Sequence, residues 1–288
     1  MGTRTAHAPL GAHASFDFGP PGEPAGFALP ADTAPAQDVF VGCRPDPGAP
    51  WSLLPFFQPV PRGPAPLPKG RFGRFLAWAG DKWMIGPLVF KLCTPFLLER
   101  DEDERFRYAP VVCGYLEYDN THCADAAELI FGLGAAGEPV SDPALAGFQL
   151  ADTHGFATAA DSEVSLRGGS QVFGVELGPA AVVHFTVPPH AKRIYPLVLG
   201  FFQPGFHHTR DFAGLGAVLA HGVAAHPRYV AASDARDAAF MRSPATPDVK
   251  ARVALETRAW LAATRRLAGE AEIDPTPLHD LARALGHA

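Results

Sequence analysis

Two carboxylates separated by a single residue, Glu117 and Asp119, are the first candidates for chemistry in this chain. On a strand they share one face, about 7 Å apart along it, and a carboxylate pair is what general acid–base or nucleophilic hydrolysis uses. The competing reading gives Asp119 to an Asp119-Asn120-Thr121 turn, where an aspartate bonds its own backbone, and that reading is preferred. His207-His208 raises the question of a metal. Adjacent strand residues point to opposite faces, and no third ligand stands at a spacing that completes a catalytic zinc site. The charge run over 99–107 mixes signs and reads as a solvated loop rather than an acidic metal site. No Gly-x-Ser-x-Gly elbow, phosphate loop or dinucleotide fingerprint occurs. The sequence therefore nominates no catalytic residue, no metal ligand and no cofactor.

Composition bounds what can surround such residues. The chain has 288 residues, enough for one large all-β domain or two ordinary ones, and 47% are apolar. Net charge is −6, from 24 basic and 30 acidic side chains, which argues against a nucleic-acid partner. The first eleven residues hold Arg4 but no apolar core of a signal peptide, and no apolar run reaches membrane-spanning length. The four cysteines, Cys43, Cys93, Cys113 and Cys123, form no Cys-x-x-Cys. Reduced thiols and a cytoplasmic location are the expectation. Glycine and proline number 29 and 30, about a fifth of the chain, which suits many turns between short strands.

The elements follow from periodicity. His7 opens a stretch that begins with a Pro-Gly turn. A strand follows in which Ala12, Ala14, Phe16 and Phe18 face one way and His13, Ser15 and Asp17 the other. A Gly/Pro loop is expected from Gly19 to Pro35, then a strand over Val39–Gly42. Pro59 to Lys69 reads as a proline-rich connector. Further strands are read at Leu88–Cys93, Pro110–Tyr118, Leu129–Phe131, Phe148–Ala151, Gly155–Ala159, Glu163–Arg167, Val182–Val187 and Ile194–Phe202. Gly168-Gly169, Gly178-Pro179 and Pro188-Pro189 are read as the breaks between some of them. Turn signals every eight to twelve residues or so, with no crossover helix, predict a large, mainly antiparallel β-sandwich over residues 1–210. A helical segment follows over 211–288. Leu215, Val218, Leu219 and Val223 have helical spacing, weakened by Gly214, Gly216 and Gly222. Thr246-Pro247 and Thr276-Pro277 are start signals, and Val249, Val253, Trp260 and Leu267 share one stripe.

The opening segment also carries a resemblance. His7, Pro9, Gly11, Ala12, Ala14, Ser15 and Phe16, then Val39 and Gly42, then Leu54-Pro55-Phe56, match in order the N-terminal region of glycoside hydrolase family 52, the β-xylosidase family. Ala8, His13 and Asp38 depart from it. The spacing Trp83-x-x-Gly86-x-Leu88-x-Phe90, followed by Pro95, and the block from Pro110 through Asp119-Asn120-Thr121 are similar to the family as well. The resemblance implies a supersandwich fold and a retaining mechanism that needs two carboxylates. In the family both stand on an α-helical barrel that follows the sandwich. This chain is expected to stop near the start of that barrel, so neither carboxylate is carried onto a residue here.

The expected function is therefore the N-terminal domain of a family 52-like β-xylosidase, inactive alone and met by its xylo-oligosaccharide through a missing helical catalytic domain. His7 and Phe16 offer the hydrogen bond and aromatic face that a sugar site uses, and Ser15 joins them as a substrate-binding candidate. The competing role for His7 is satisfying a turn backbone. Trp51, Trp78 and Trp83 are candidates for stacking on a sugar, or for the core. The uncovered stripe at Trp260 predicts self-association or pairing with a catalytic half. The alternative function is a stand-alone carbohydrate-binding or structural sandwich.

Overall fold

The structure is a computed structural model. It describes residues 6–9, 15–18, 26–28, 37–53, 72–76, 80–93, 98–100, 106–108, 110–133, 136–150, 153–172, 175–202, 204–205, 209–242 and 244. In chain order the strands are β1 (Ala6–Pro9), β2 (Ser15–Phe18), β3 (Gly26–Ala28), β4 (Gln37–Arg44), β5 (Ser52–Leu53), β6 (Phe72–Leu76), β7 (Gly80–Ile85), β8 (Leu88–Cys93), β9 (Leu98–Arg100) and β10 (Phe106–Tyr108). They continue with β11 (Val111–Asp119), β12 (Ala127–Leu133), β13 (Glu138–Pro139), β14 (Leu145–Leu150), β15 (His154–Ala159), β16 (Val164–Val172), β17 (Val175–Val187) and β18 (Lys192–Phe201). Helix α1 spans Leu215–Arg242.

Among the described residues, sixteen of these strands form two eight-stranded sheets, and β9 and β10 form a two-stranded one. The first runs β1-β2-β3-β4-β12-β17-β16, with β5 on β4, and the second runs β13-β14-β15-β18-β11-β8-β7-β6. Every pairing among the described residues is antiparallel. The mainly antiparallel sandwich expected from the turn spacing is the fold observed.

Period-two alternation builds the core between the sheets. Leu129, Phe131 and Leu133 of β12 and Val183, Phe185 and Val187 of β17 meet Leu116 of β11, Phe156 of β15 and Leu197 and Leu199 of β18. Phe90, Phe131, Phe156 and Phe185 are the largest side chains fully buried there. Phe131 sits edge-on to Phe156 at 5.2 Å between ring centroids, a favoured aromatic geometry.

The second sheet is covered on its outer face too. Val218, Leu219 and Tyr229 of α1 pack on Val111, Cys113, Ala157 and Val198. Two glycines let the layers approach. A Cβ on Gly222 would lie 2.5 Å from Val198 Cγ1, and one on Gly200 would lie 2.7 Å from Leu219 Cδ2. Gly222, which weakens the helix as a sequence, is where the helix touches the sheet. Pro227 lies inside the same helix. Next to it, His226 Nε2 reaches the Gly114 carbonyl at 2.5 Å.

Several expectations change. His7 is not in a turn: it lies in β1, directly opposite Asp17 of β2. The Gly19–Pro35 loop is interrupted by β3, which pairs with β2 and β4. The charge run is framed by a hairpin, β9 against β10. Gly168-Gly169 and Gly178-Pro179 fall inside β16 and β17, not between strands. The β16–β17 register shifts between Gly169 and Gln171, and the pairing with β12 ends at Ala181. A proline that cannot donate to the ladder is tolerated at such an irregular, one-sided stretch. Between β7 and β8, Gly86 takes φ 56°, as the first residue of a two-residue hairpin turn does. The connector at Pro59–Lys69, the Trp260 stripe, the starts at Thr246 and Thr276, Trp78 and His207-His208 lie outside the described residues.

Candidate functional site

The carboxylate pair on β11 is occupied. Lys192 Nζ donates to Glu117 Oε1 at 2.8 Å. Asp119 accepts from the Thr121 hydroxyl at 2.6 Å and from the Thr121 amide at 3.1 Å. These bonds hold the Asp119 carboxyl below its usual range. A catalytic acid needs the opposite, a carboxyl kept protonated. Asp119 is the turn residue the sequence favours.

The sequence-nominated sugar contacts lie at the β1 edge of the first sheet. His7 is opposite Asp17, Ser15 is opposite Pro9 and Ala28, and Phe16 is opposite Ala8 and Phe27. Neighbouring strand positions alternate in face. By register, His7 and Ser15 share one face of that edge, and Phe16 takes the other.

A polar group of a different kind stands on the outer face of the same sheet. Arg44 ends β4 directly opposite Glu128 of β12, and Glu128 is opposite Thr186 of β17. Ile130 is opposite His184, and His184 is opposite Ser165 of β16. Four strands thus set Arg44, Glu128, His184 and Ser165 on one face by register alone. Arg44 Nε donates to Glu128 Oε2. The Arg44 guanidinium lies over the Trp51 ring, 4.9 Å from its centroid. Trp51 meets the His184 ring edge-on at 6.0 Å. His184 is 4% exposed, and its Nε2 has no hydrogen-bond partner. The nearest acceptor is Glu128 Oε1, 3.5 Å away, too far for a good bond. Burial pushes the His184 pKa down, as do the positive charges of Arg167 and Arg44, while Glu128 pulls it up. The imidazole is therefore neutral at neutral pH. Ion pairs this enclosed add little stability over apolar residues of the same size. A tryptophan, an arginine–glutamate pair and an unsatisfied histidine brought together in this way make the group a candidate site.

Sequence reasoning raised Trp51 and missed Arg44, Glu128 and His184. The available signal was a charged or ionisable residue inside an apolar strand: Glu128 in Ala127–Leu133, and His184 in Val182–Val187.

A second polar group is structural. Arg193 Nε bonds both oxygens of Glu163 at 3.1 and 3.0 Å, and Tyr195 Oη lies 2.7 Å from Glu163 Oε2. Burial would raise the Glu163 pKa, but the Arg193 and Tyr195 bonds bring it below its usual value. The group fastens the start of β16 to β18. Among the described residues, no three His, Cys, Asp or Glu side chains could hold a metal ion, and no helix is long and apolar enough to cross a membrane.

Comparison with known proteins completes this picture. The chain is similar to a "Beta-xylosidase" of Geobacillus stearothermophilus, 23% identical over 337 residues that cover 94% of this chain and 53% of the relative. A further "Beta-xylosidase" of Geobacillus stearothermophilus is 29% identical over 153 residues, 44% of this chain and 22% of that protein. The chain thus spans about half the length of the first of these relatives. The first alignment is longer than the chain's 288 residues, so the relative carries insertions. Its coverage reaches into the His7–Phe57 stretch, ahead of the family match. The model of Glycosyl hydrolase family 52 matches residues 59–275, about three quarters of the sequence, and the chain belongs to that family.

Proposed function

We propose that this chain forms the β-sandwich portion of a family 52 β-xylosidase acting on xylo-oligosaccharides. In this reading, residues 1–210 are the sandwich domain and residues 211–288 lead into a helical catalytic barrel. The barrel supplies the two carboxylates of the retaining mechanism. His7, Ser15 and Phe16, at the β1 edge of the first sheet, are the substrate-binding residues. The protein works in the cytoplasm, and it self-associates or pairs with a catalytic half.

The observation that carries this reading is the family match joined to the state of Glu117 and Asp119. The chain belongs to a glycoside hydrolase family, yet the carboxylate pair its sequence nominates is committed to Lys192 and Thr121. Without a free nucleophile and a protonated acid, the glycosidic bond is not cleaved. The test is turnover of an aryl β-xyloside by the purified chain. The expected result is no release of phenol above that of buffer. Turnover comparable to a complete family enzyme overturns the reading and returns Glu117 and Asp119 to the active site.

A second reading is a carbohydrate-binding module without catalysis, favoured by the Trp51–Arg44–Glu128–His184 group. Saturable binding of neutral xylo-oligosaccharides by the inactive chain supports that reading, and its absence removes it.

A further inference from the structure

Beside His184 on the outer face of the first sheet, one positive charge has no partner among the described residues. Arg44 and Glu128 cancel as a pair. His184 is neutral. Glu163, the carboxylate nearest along β16, is held by Arg193. Arg167 remains. It lies on β16 opposite Val182, one diagonal step from His184, and it is exposed. Among the described residues it has no ion pair and no hydrogen bond. Diagonal positions on one sheet face are about 7–8 Å apart, within reach of a long side chain. Ser165, also exposed, stands directly across from His184.

The recognition chemistry of these groups is specific. A free guanidinium presents a planar fork that fits a carboxylate with two parallel hydrogen bonds. A half-buried tryptophan offers a flat apolar face, with enough exposed edge to border a ligand. A buried Nε2 that lacks a partner is a polar group held in place for one. A flat ring with an attached carboxylate and further hydroxyls satisfies all three at once. A bare anion leaves Trp51 and His184 unused, and a neutral pentose leaves Arg167 unused.

We propose that this face binds an acidic sugar, a uronic acid residue, with its carboxylate on Arg167, its hydroxyls toward Ser165 and His184, and its ring edge at Trp51. The proposal rests on the glycoside hydrolase reading, because family membership is what makes a sugar the ligand to consider. It adds a sugar class to that reading, and a place on the sandwich remote in sequence from His7, Ser15 and Phe16.

The experiment is a titration of the full chain, followed by saturation-transfer NMR and tryptophan fluorescence, with three probes: a methyl glucuronoside, a methyl xyloside and sodium acetate. The glucuronoside is expected to bind best, and its affinity to fall as salt is added. Arg167→Gln, an exposed substitution that leaves the thermal unfolding midpoint in place, is expected to weaken glucuronoside binding at least about tenfold. Equal binding of the xyloside overturns the acidic-sugar assignment. Equal binding of acetate reduces the site to a bare anion site and also overturns it. No binding of any probe, or unchanged affinity in Arg167→Gln, overturns the site. No readout depends on glycoside turnover, so failure here is distinguishable from failure of the β-xylosidase reading.

Discussion

Asn120 is the residue whose replacement tests the architecture most sharply. It is fully buried where β11 ends. Its Nδ2 donates to the Asp125 carbonyl at 2.9 Å and the Pro188 carbonyl at 3.0 Å, with the Val187 carbonyl at 3.5 Å. Its own amide donates to the Ala191 carbonyl at 2.9 Å. One side chain thus ties the end of β11, in the second sheet, to the end of β17, in the first. Asn120→Ala removes both donors. Each of the two carbonyls left without its donor costs about 1–3 kcal/mol, and both, being partly buried, recover some of this from water, so about 2–4 kcal/mol is expected in all. Asn120→Asp keeps the shape but turns a donor into an acceptor facing carbonyl oxygens. An uncompensated buried charge costs about 3–5 kcal/mol, so at neutral pH the aspartate is the worse substitution. Its folded-state pKa must rise, since the protonated form can donate. At about 1.36 kcal/mol per pKa unit, a penalty of about 3 kcal/mol moves a carboxyl from about 3.9 to about 6. A raised folded pKa gives stability that is present at low pH and lost as pH climbs through it. Urea unfolding of both variants and the parent at pH 7.5 and pH 5 measures this. Asn120→Asp is expected below Asn120→Ala at the higher pH and to recover at the lower. Two variants of equal stability at both pH values, or Asn120→Ala within error of the parent, would refute the reasoning.

Other outcomes follow from features already described. Gly222→Ala gains helix propensity of about 1 kcal/mol, but its methyl meets Val198, so overpacking of about 1–3 kcal/mol wins; a raised melting temperature would contradict the close helix–sheet contact. Pro227 is exposed within α1, and Pro227→Ala should stabilise the chain by about 1–3 kcal/mol as the helix regains a hydrogen bond. An unchanged or lower midpoint would show that the proline helps seat His226. Burial holds the pKa values of His154, His184 and His226 below their usual value, for His184 with help from nearby arginines and for His226 against its Gly114 bond. Such groups bind protons more readily when unfolded, so stability present above about pH 6.5 is lost as pH falls below it. Denaturant midpoints measured from pH 7.5 to 5.5 should fall, and His226→Gln should flatten the slope.

Much of the sandwich was legible because its strands alternate. Leu88–Cys93, Val111–Asp119 and Val182–Val187 announce themselves by β-branched and aromatic residues at period two. The breaks misled where glycine and proline sit inside strands, as at Gly178-Pro179. There the ladder is irregular, and a local turn signal says nothing about the pairing. Gly222 misled in the other direction: helix propensity treats it as a defect, while the sheet beneath it requires a residue without a side chain. The family was legible from short ordered motifs. The polar group on the first sheet was not, because Arg44, Glu128 and His184 come from three strands distant in sequence and meet only through register.

The distance between those strands also sets the order in which the molecule can be assembled. Arg44 and Glu128 face each other across 84 positions of sequence, and β12 fills its other side with β17, which is later still. On a ribosome adding about 5–20 residues per second, the outer edge of β4 waits roughly 4–17 seconds for its neighbour to emerge. During that interval Val39, Phe40 and Val41 form an apolar edge that another nascent chain can pair with. Slowing translation, or removing chaperones that hold extended segments, should therefore cut the soluble yield of this chain well before any loss of stability in the finished protein.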